Sequence, residues 1–146
     1  MRIADILRKK GSDVVTIEPQ KTVWDAIQTL NEHKIGAAVV TDTDDRVVGI
    51  ISERDILQAA AKQRESIKDL SIADIMTTDL IIGVADDRLD YVMGVMTQNR
   101  IRHLPVMDEE KLIGIVSIGD VVKSLSQERE IEIKYLTDYI TGKYPG

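Results

Sequence analysis

The seven residues Gly49, Ile50, Ile51, Ser52, Glu53, Arg54 and Asp55 return as Gly114, Ile115, Val116, Ser117, Ile118, Gly119 and Asp120, a constant 65 positions later. Each copy is glycine, two β-branched apolar residues, serine, two variable residues and aspartate. The likeness spreads outward: residues 35–40 align with 101–106 at an offset of 66, and residues 3–7 with 72–76 at an offset of 69. A self-similarity this long marks a duplication, so the chain must fold as two like halves. Its 146 residues suit two small repeats sharing one core.

The apolar dipeptide of each copy ends a buried strand, and Ile56, Leu57 and Val121, Val122 open apolar-periodic helices. Serine therefore stands at the N-cap of a strand-to-helix corner, with aspartate three residues on. One reading is a capping box, in which a short hydroxyl accepts from early helical N–H groups and the acid favours the positive helix end. The other reading uses the same geometry for a ligand. A helix N-terminus beside a serine hydroxyl suits a phosphate, and an aspartate in the first turn can accept from vicinal ribose hydroxyls. Two copies in register inside a duplication favour the ligand.

Periodicity and turn signals predict the elements. A short amphipathic helix carries Ile3, Ile6 and Leu7 and stops at Gly11. A strand spans residues 13–17. Thr22 caps a helix to about residue 34 with Val23, Ala26, Ile27 and Leu30 inward. Strands at 37–41 and 47–51 flank the polar hairpin loop 42–45, and a helix starts at Ser52. Residues 64–71 read as a polar linker. The second half repeats the order, with a short helix at 72–76, a strand at 80–84, a helix at 89–99, hairpin strands at 103–107 and 112–117, and a helix from Ile118. That helix continues through Ile131, Tyr135, Leu136, Tyr139 and Ile140 to a stop at Gly142. The expected fold is α/β (α+β): two β-α-β-β-α repeats packed face to face with pseudo-two-fold symmetry. The expected boundaries are 1–66, 67–127 and a helical tail at 128–146. A lone half leaves an apolar sheet face uncovered; two facing halves bury it.

Glycine, an apolar residue, x, Ser/Thr, x, x and Asp, preceded by a hairpin and repeated in tandem, resembles the cystathionine β-synthase (CBS) domain family. The match covers nearly the whole chain and looks like a stand-alone CBS pair, or Bateman module, with no catalytic domain attached. The resemblance implies adenine-nucleotide binding in the cleft between repeats. It implies that the corner residues Ser52, Glu53, Arg54 and Asp55, and Ser117, Ile118, Gly119 and Asp120, face the ligand. Thr16 matches the family's strand-end threonine beside the nucleotide. Ile82 stands at the same place in the second repeat, where that hydrogen bond is missing. Gly36 and Ala37 fall where family members contact adenine through the main chain. Arg102, His103 and Pro105 resemble a common form of the pocket wall, with Arg102 or His103 neutralising phosphate. Arg54 is read either as reaching a phosphate or as a solvent-facing helix residue. Gly119 loosens the helix start or makes room for a ligand.

The resemblance implies a regulatory sensor rather than an enzyme, with no required cofactor. AMP is the first ligand expected, because one phosphate and one ribose fill the roles of Ser and Asp. ADP, ATP, NAD and S-adenosylmethionine are the alternatives. A homodimer of the disc type and a downstream protein partner are also implied. The competing functions are a protein-interaction scaffold with a vestigial cleft, and a small hydrolase or transferase.

Composition narrows the classes. A net charge of −6 argues against a nucleic-acid surface, which is normally basic. No apolar run approaches the ~20 residues of a membrane span. Without a signal-like N-terminus or any cysteine, a cytoplasmic location is expected. There is no Phe, so the core is built from Ile, Val, Leu, Ala and Met. His33 and His103 without cysteine give no zinc set, and residues 42–45 start like a calcium loop but place Val47 at its turn glycine. Gly142, Lys143 and Tyr144 lack the glycine spacing of a phosphate loop. Arg8, Lys9 and Lys10 read as a solvated helix end.

Overall fold

The computed structural model describes residues 1–63 and 66–140, with the side chains of 138–140 outside the described set. The expected Gly142 stop, the Gly142-Lys143-Tyr144 stretch and the side chains of Tyr139 and Ile140 lie outside the described residues.

Each half is built on an antiparallel hairpin. In the first, β2 (Ala37–Thr41) pairs with β3 (Val47–Ser52), and β1 (Thr16–Ile17) adds a parallel edge to β2. In the second, β4 (His103–Asp108) pairs with β5 (Lys111–Ser117). The duplication extends to irregularities: the register shifts at Val40/Thr41 in one hairpin and at Val106/Met107 in the other. Two expected strands are smaller than their sequence pattern. Residues 13–17 yield strand at Thr16–Ile17 alone. Residues 80–84 form no strand; one bridge remains, in which Gly83 donates to Pro105 O and accepts from Met107 N, both at 2.9 Å. The second half is therefore a hairpin with a single bridge, not a three-stranded sheet.

The helices follow their caps. α1 (Ile3–Lys10) buries Ile3 and Ile6 and ends at Gly11, whose φ of +90° is open to glycine and strained for other residues. α2 (Val23–His33) starts at the Thr22 cap, and α3 (Glu53–Lys62) at the Ser52 cap. The expected linker contains a short 3-10 turn, Ile67–Asp69, ahead of α4 (Ile72–Ile75). α5 (Leu89–Asn99) precedes the second hairpin, and α6 (Ile118–Ile140) is one continuous 23-residue helix. Among the described residues no helix is long and apolar enough to cross a membrane.

Packing does not divide where the repeats divide. One apolar cluster joins Ile3 and Ile6 of α1 to Leu89, Val92, Met96, Leu104, Val106, Val116 and Val121. The other joins Ile72 of α4 to Ile17, Ala26, Leu30, Ala38, Val40 and Ile51. The leading helix of each repeat thus covers the core of the other. Backbone bonds fasten both arms: Ile3 N donates to Asp87 O at 3.0 Å, and Ile72 N to Lys21 O at 2.8 Å. The glycine of each repeated motif permits the approach, Gly49 lying against Met76 and Gly114 against Leu7. This reciprocal exchange gives the approximate two-fold relation.

Candidate functional site

At the first corner, β3 runs into α3 with Ser52 still extended (φ −120°, ψ 164°). Asp55 N donates to Ser52 Oγ at 3.2 Å and Ser52 N to Asp55 Oδ2 at 2.9 Å, so each backbone N–H is satisfied by the other residue's side chain. Ser52 Oγ also donates to Asp55 Oδ2, at 3.0 Å. The second corner repeats the pair, with Ser117 N to Asp120 Oδ2 at 2.9 Å and Asp120 N to Ser117 Oγ at 3.1 Å. Thr22 with Asp25, and Ser71 with Asp74, form the same box. The capping role is therefore realised at both corners, and a ligand role must be added to it.

What distinguishes the first corner is its surroundings. Ser52, Glu53, Arg54 and Asp55 line a hollow of about 730 Å³, within the size range of small-molecule sites. The opposite wall comes from the second half: Asn99, Arg100, Ile101, Arg102 and His103. Arg54 crosses the gap and donates to Arg100 O at 3.1 Å. Its guanidinium thus ties the halves together, a role neither sequence reading assigned. Thr77, carried on the exchanged arm, donates its hydroxyl to Asp55 Oδ1 at 2.8 Å. Two of Asp55's donors sit on Oδ2 and one on Oδ1, leaving acceptor capacity for a further hydroxyl.

His103 pairs with Ser117 across the second hairpin, as Ala37 pairs with Ser52 across the first. Its ring comes within reach of Gly36 and lies between the fields of Glu53 and Asp120. Burial pushes the imidazole below the usual histidine range; Lys10 and Arg102 add to this, while Glu53 and Asp120 oppose it. The ring is neutral near pH 7. At Asp120, burial pushes the carboxyl up, but the Lys10 ammonium and the Ser117 N–H outweigh it and hold it below the usual carboxylate range.

The structure gathers Gly36, Ser52, Glu53, Arg54, Asp55, Arg102 and His103 around one hollow. It does not bring the other expected residues there. Thr16 lines a separate polar hollow with Lys21, Asp25 and Thr41. Ile82 is 49% exposed, in a segment that meets the hairpin only through the Gly83 bridge. Ala37 and Pro105 are buried in their hairpins. Ser117, Ile118, Gly119 and Asp120 form the second corner outside this hollow, where Ile118 N donates to Arg102 O at 2.8 Å. Thr77 and Arg100 carry no signal in the sequence. Lys10 was placed at a solvated helix end; instead Nζ reaches Asp120 Oδ2 at 2.6 Å and Ile115 O at 3.0 Å. Only the arm exchange brings these partners together, and nothing in the local pattern signals it. His33 stays local, its Nδ1 3.0 Å from Thr29 O, and residues 42–45 turn around Asp42 Oδ1 as expected. Among the described residues no three His, Cys, Asp or Glu side chains converge as a metal site.

Two α/β units with exchanged leading helices, each ending its hairpin on a hydroxyl–carboxylate corner, define a tandem-repeat module. A model of the CBS domain matches residues 3–62 and again 72–127, and the chain belongs to the CBS-domain family. It is 37% identical to the mitochondrial CBS domain-containing protein CBSX3 of Arabidopsis thaliana, over 97% of this chain and 73% of that protein. The crystal structure of the CBS-domain containing protein ATU1752 from Agrobacterium tumefaciens superposes with a TM-score of 0.83 at 43% identity, covering 85% of this chain and 98% of that one. The CBS domain pair of protein MJ0100, solved with 5′-methylthioadenosine and S-adenosyl-L-methionine, superposes with a TM-score of 0.77 at 27% identity, covering 88% and 98%.

Proposed function

We propose that the chain is a regulatory module that binds an adenine nucleotide, AMP in the first instance, in the hollow at the first corner. One observation carries this reading: a single cleft places the Ser52–Asp55 corner opposite the arginines and His103 of the other half. Asp55 is the acceptor for ribose hydroxyls, and the His103 ring, packed against Gly36, is the wall for the base. Arg102 is the fork for a phosphate. Arg54, Arg100 and Arg102 outnumber Glu53 and Asp55 there, in a chain whose net charge is −6. That local balance favours an anion over a sulfonium. The adenosine-bearing ligands of the MJ0100 pair support the same chemistry. Because the hollow is walled by both halves, a bound nucleotide shifts their relative position by whatever difference in affinity it has for the two arrangements.

A second copy completes the proposed assembly through the distal face of α6, where Ile131, Tyr135 and Leu136 are 70%, 51% and 57% exposed. Light scattering that returns a monomer at micromolar concentration would contradict this part.

Isothermal titration with AMP, adenosine, ADP, ATP, NAD and S-adenosylmethionine tests the ligand. AMP should bind saturably and more tightly than adenosine, with the difference lost in Arg102→Ala. Absence of heat with all six would overturn the reading.

A further inference from the structure

Each motif aspartate is held by a side chain delivered on an exchanged arm, and the two arms deliver different chemistry. At the first corner the donor is the neutral hydroxyl of Thr77, bound to one oxygen of Asp55. It can turn away and leave the carboxylate charged and open to another hydroxyl. At the second corner the donor is the Lys10 ammonium, which stands 2.6 Å from Asp120 Oδ2 and donates to Ile115 O at 3.0 Å. Both bonds to Asp120 fall on Oδ2, so a ligand hydroxyl would be left the other oxygen of a carboxylate already paired with an ammonium, with that cation spanning the corner to Ile115 O and facing the ribose.

We infer that Lys10 closes the second corner from within, so that the chain presents one nucleotide site, at the first corner. This rests on the adenylate reading above. The duplication alone argues for two sites, since both corners keep their serine and aspartate in the same box. The difference lies outside the motif, on arms whose residues do not correspond: at the offset of 69, Lys10 aligns with Asp79 and Thr77 with Arg8. Repeat symmetry is broken where the arm meets the corner.

Titration of AMP into wild type, Lys10→Met and Lys10→Arg tests the closure. Lys10 is the last residue of α1, whose buried anchors Ile3 and Ile6 are untouched, so these variants keep the fold. Wild type and Lys10→Arg should each take one AMP per chain and Lys10→Met two. In Lys10→Met the Asp120 carboxyl, followed by NMR, should titrate nearer the ordinary range. One AMP per chain in Lys10→Met with Asp120 so shifted would overturn the closure and leave the adenylate reading intact, as would two per chain in wild type. No AMP heat in any of the three would overturn both.

Discussion

A Cβ on Gly36 would stand 3.1 Å from Cε1 and 3.3 Å from Nε2 of His103. The halves meet at the hollow through a glycine and an imidazole, with no spare room between them. Gly36→Ala therefore has to push the ring by a few tenths of an ångström. The ring is the far end of a side chain, so the change should cost less than the ~1–3 kcal/mol typical of overpacking. The wall of the hollow moves all the same. Chemical denaturation should place this variant within about 1 kcal/mol of wild type, while titration shows weaker AMP binding. Unchanged affinity would remove Gly36 and His103 from the ligand wall.

The same histidine sets a pH window. Its folded value lies below the ~6.5 of an unfolded histidine. The folded chain thus holds fewer protons than the unfolded chain between those two values, and stability rises with pH there. The contribution is complete above ~pH 6.5 and is lost as pH falls through the lower folded value. Asp120 follows the same sign in a separate window, beginning below the ~3.9 of an unfolded aspartate. Denaturant melts at pH 7.5 and 5.5 should show wild type losing stability at the lower pH, and His103→Gln losing less. Parallel losses would show that His103 is not the titrating group.

Separating ligand binding from capping needs a matched control, and Thr22 with Asp25 supplies one. It is the same box, with Asp25 N to Thr22 Oγ1 at 3.1 Å and Thr22 N to Asp25 Oδ2 at 3.0 Å, away from the first-corner hollow. Thr22→Ala and Ser52→Ala should each cost ~0.5–2 kcal/mol, the usual loss of an N-cap. AMP affinity should fall in Ser52→Ala and in Asp55→Asn and hold in Thr22→Ala. Equal affinities in all three would leave the first corner with capping as its sole role.

Much of this was legible in the chain because the duplication repeats local instructions: Thr22 and Ser52 cap where the sequence says, and Gly11 stops α1. The strand expected at 80–84 is reduced to one bridge. Its apolar residues supply a single bridge through Gly83, and a Cβ there would lie 2.7 Å from Leu104 and 2.8 Å from Ile3. Ile3 belongs to the arm of the other repeat, so half of this close packing at Gly83 comes from the exchange. The same exchange hid Thr77 and Lys10 from any reading along the chain. Thr16 rests on family likeness alone, and it lines a different hollow.

The paired motif glycines should not be equally tolerant. A Cβ at Gly114 meets Leu7 Cδ2 at 2.6 Å, the far end of a side chain with freedom to turn. A Cβ at Gly49 meets Met76 Sδ at 2.8 Å and also Thr77 O at 2.9 Å, a backbone atom fixed by the Ile50–Thr77 bonds. Gly49→Ala should lose at least the ~1–3 kcal/mol of an overpacked core, and Gly114→Ala less. Thermal melts that rank them in the opposite order would contradict this account of the arms.

Exchange of the leading helices makes the sequence repeat the wrong folding unit. Residues 1–66 carry the first repeat but lack Ile72, which is fully buried in that repeat's core, and leave Ile3 and Ile6 with nothing to cover. Burying one such side chain contributes ~1.5–3 kcal/mol, a large share of the stability of a domain this small. Residues 12–78 are about as long but contain the whole of that cluster together with Thr77. A fragment of residues 12–78 should therefore show helical circular dichroism and a cooperative melt, and a fragment of residues 1–66 should show neither. If 1–66 melts cooperatively and at the higher temperature, the arms do not belong to the cores on which they pack here.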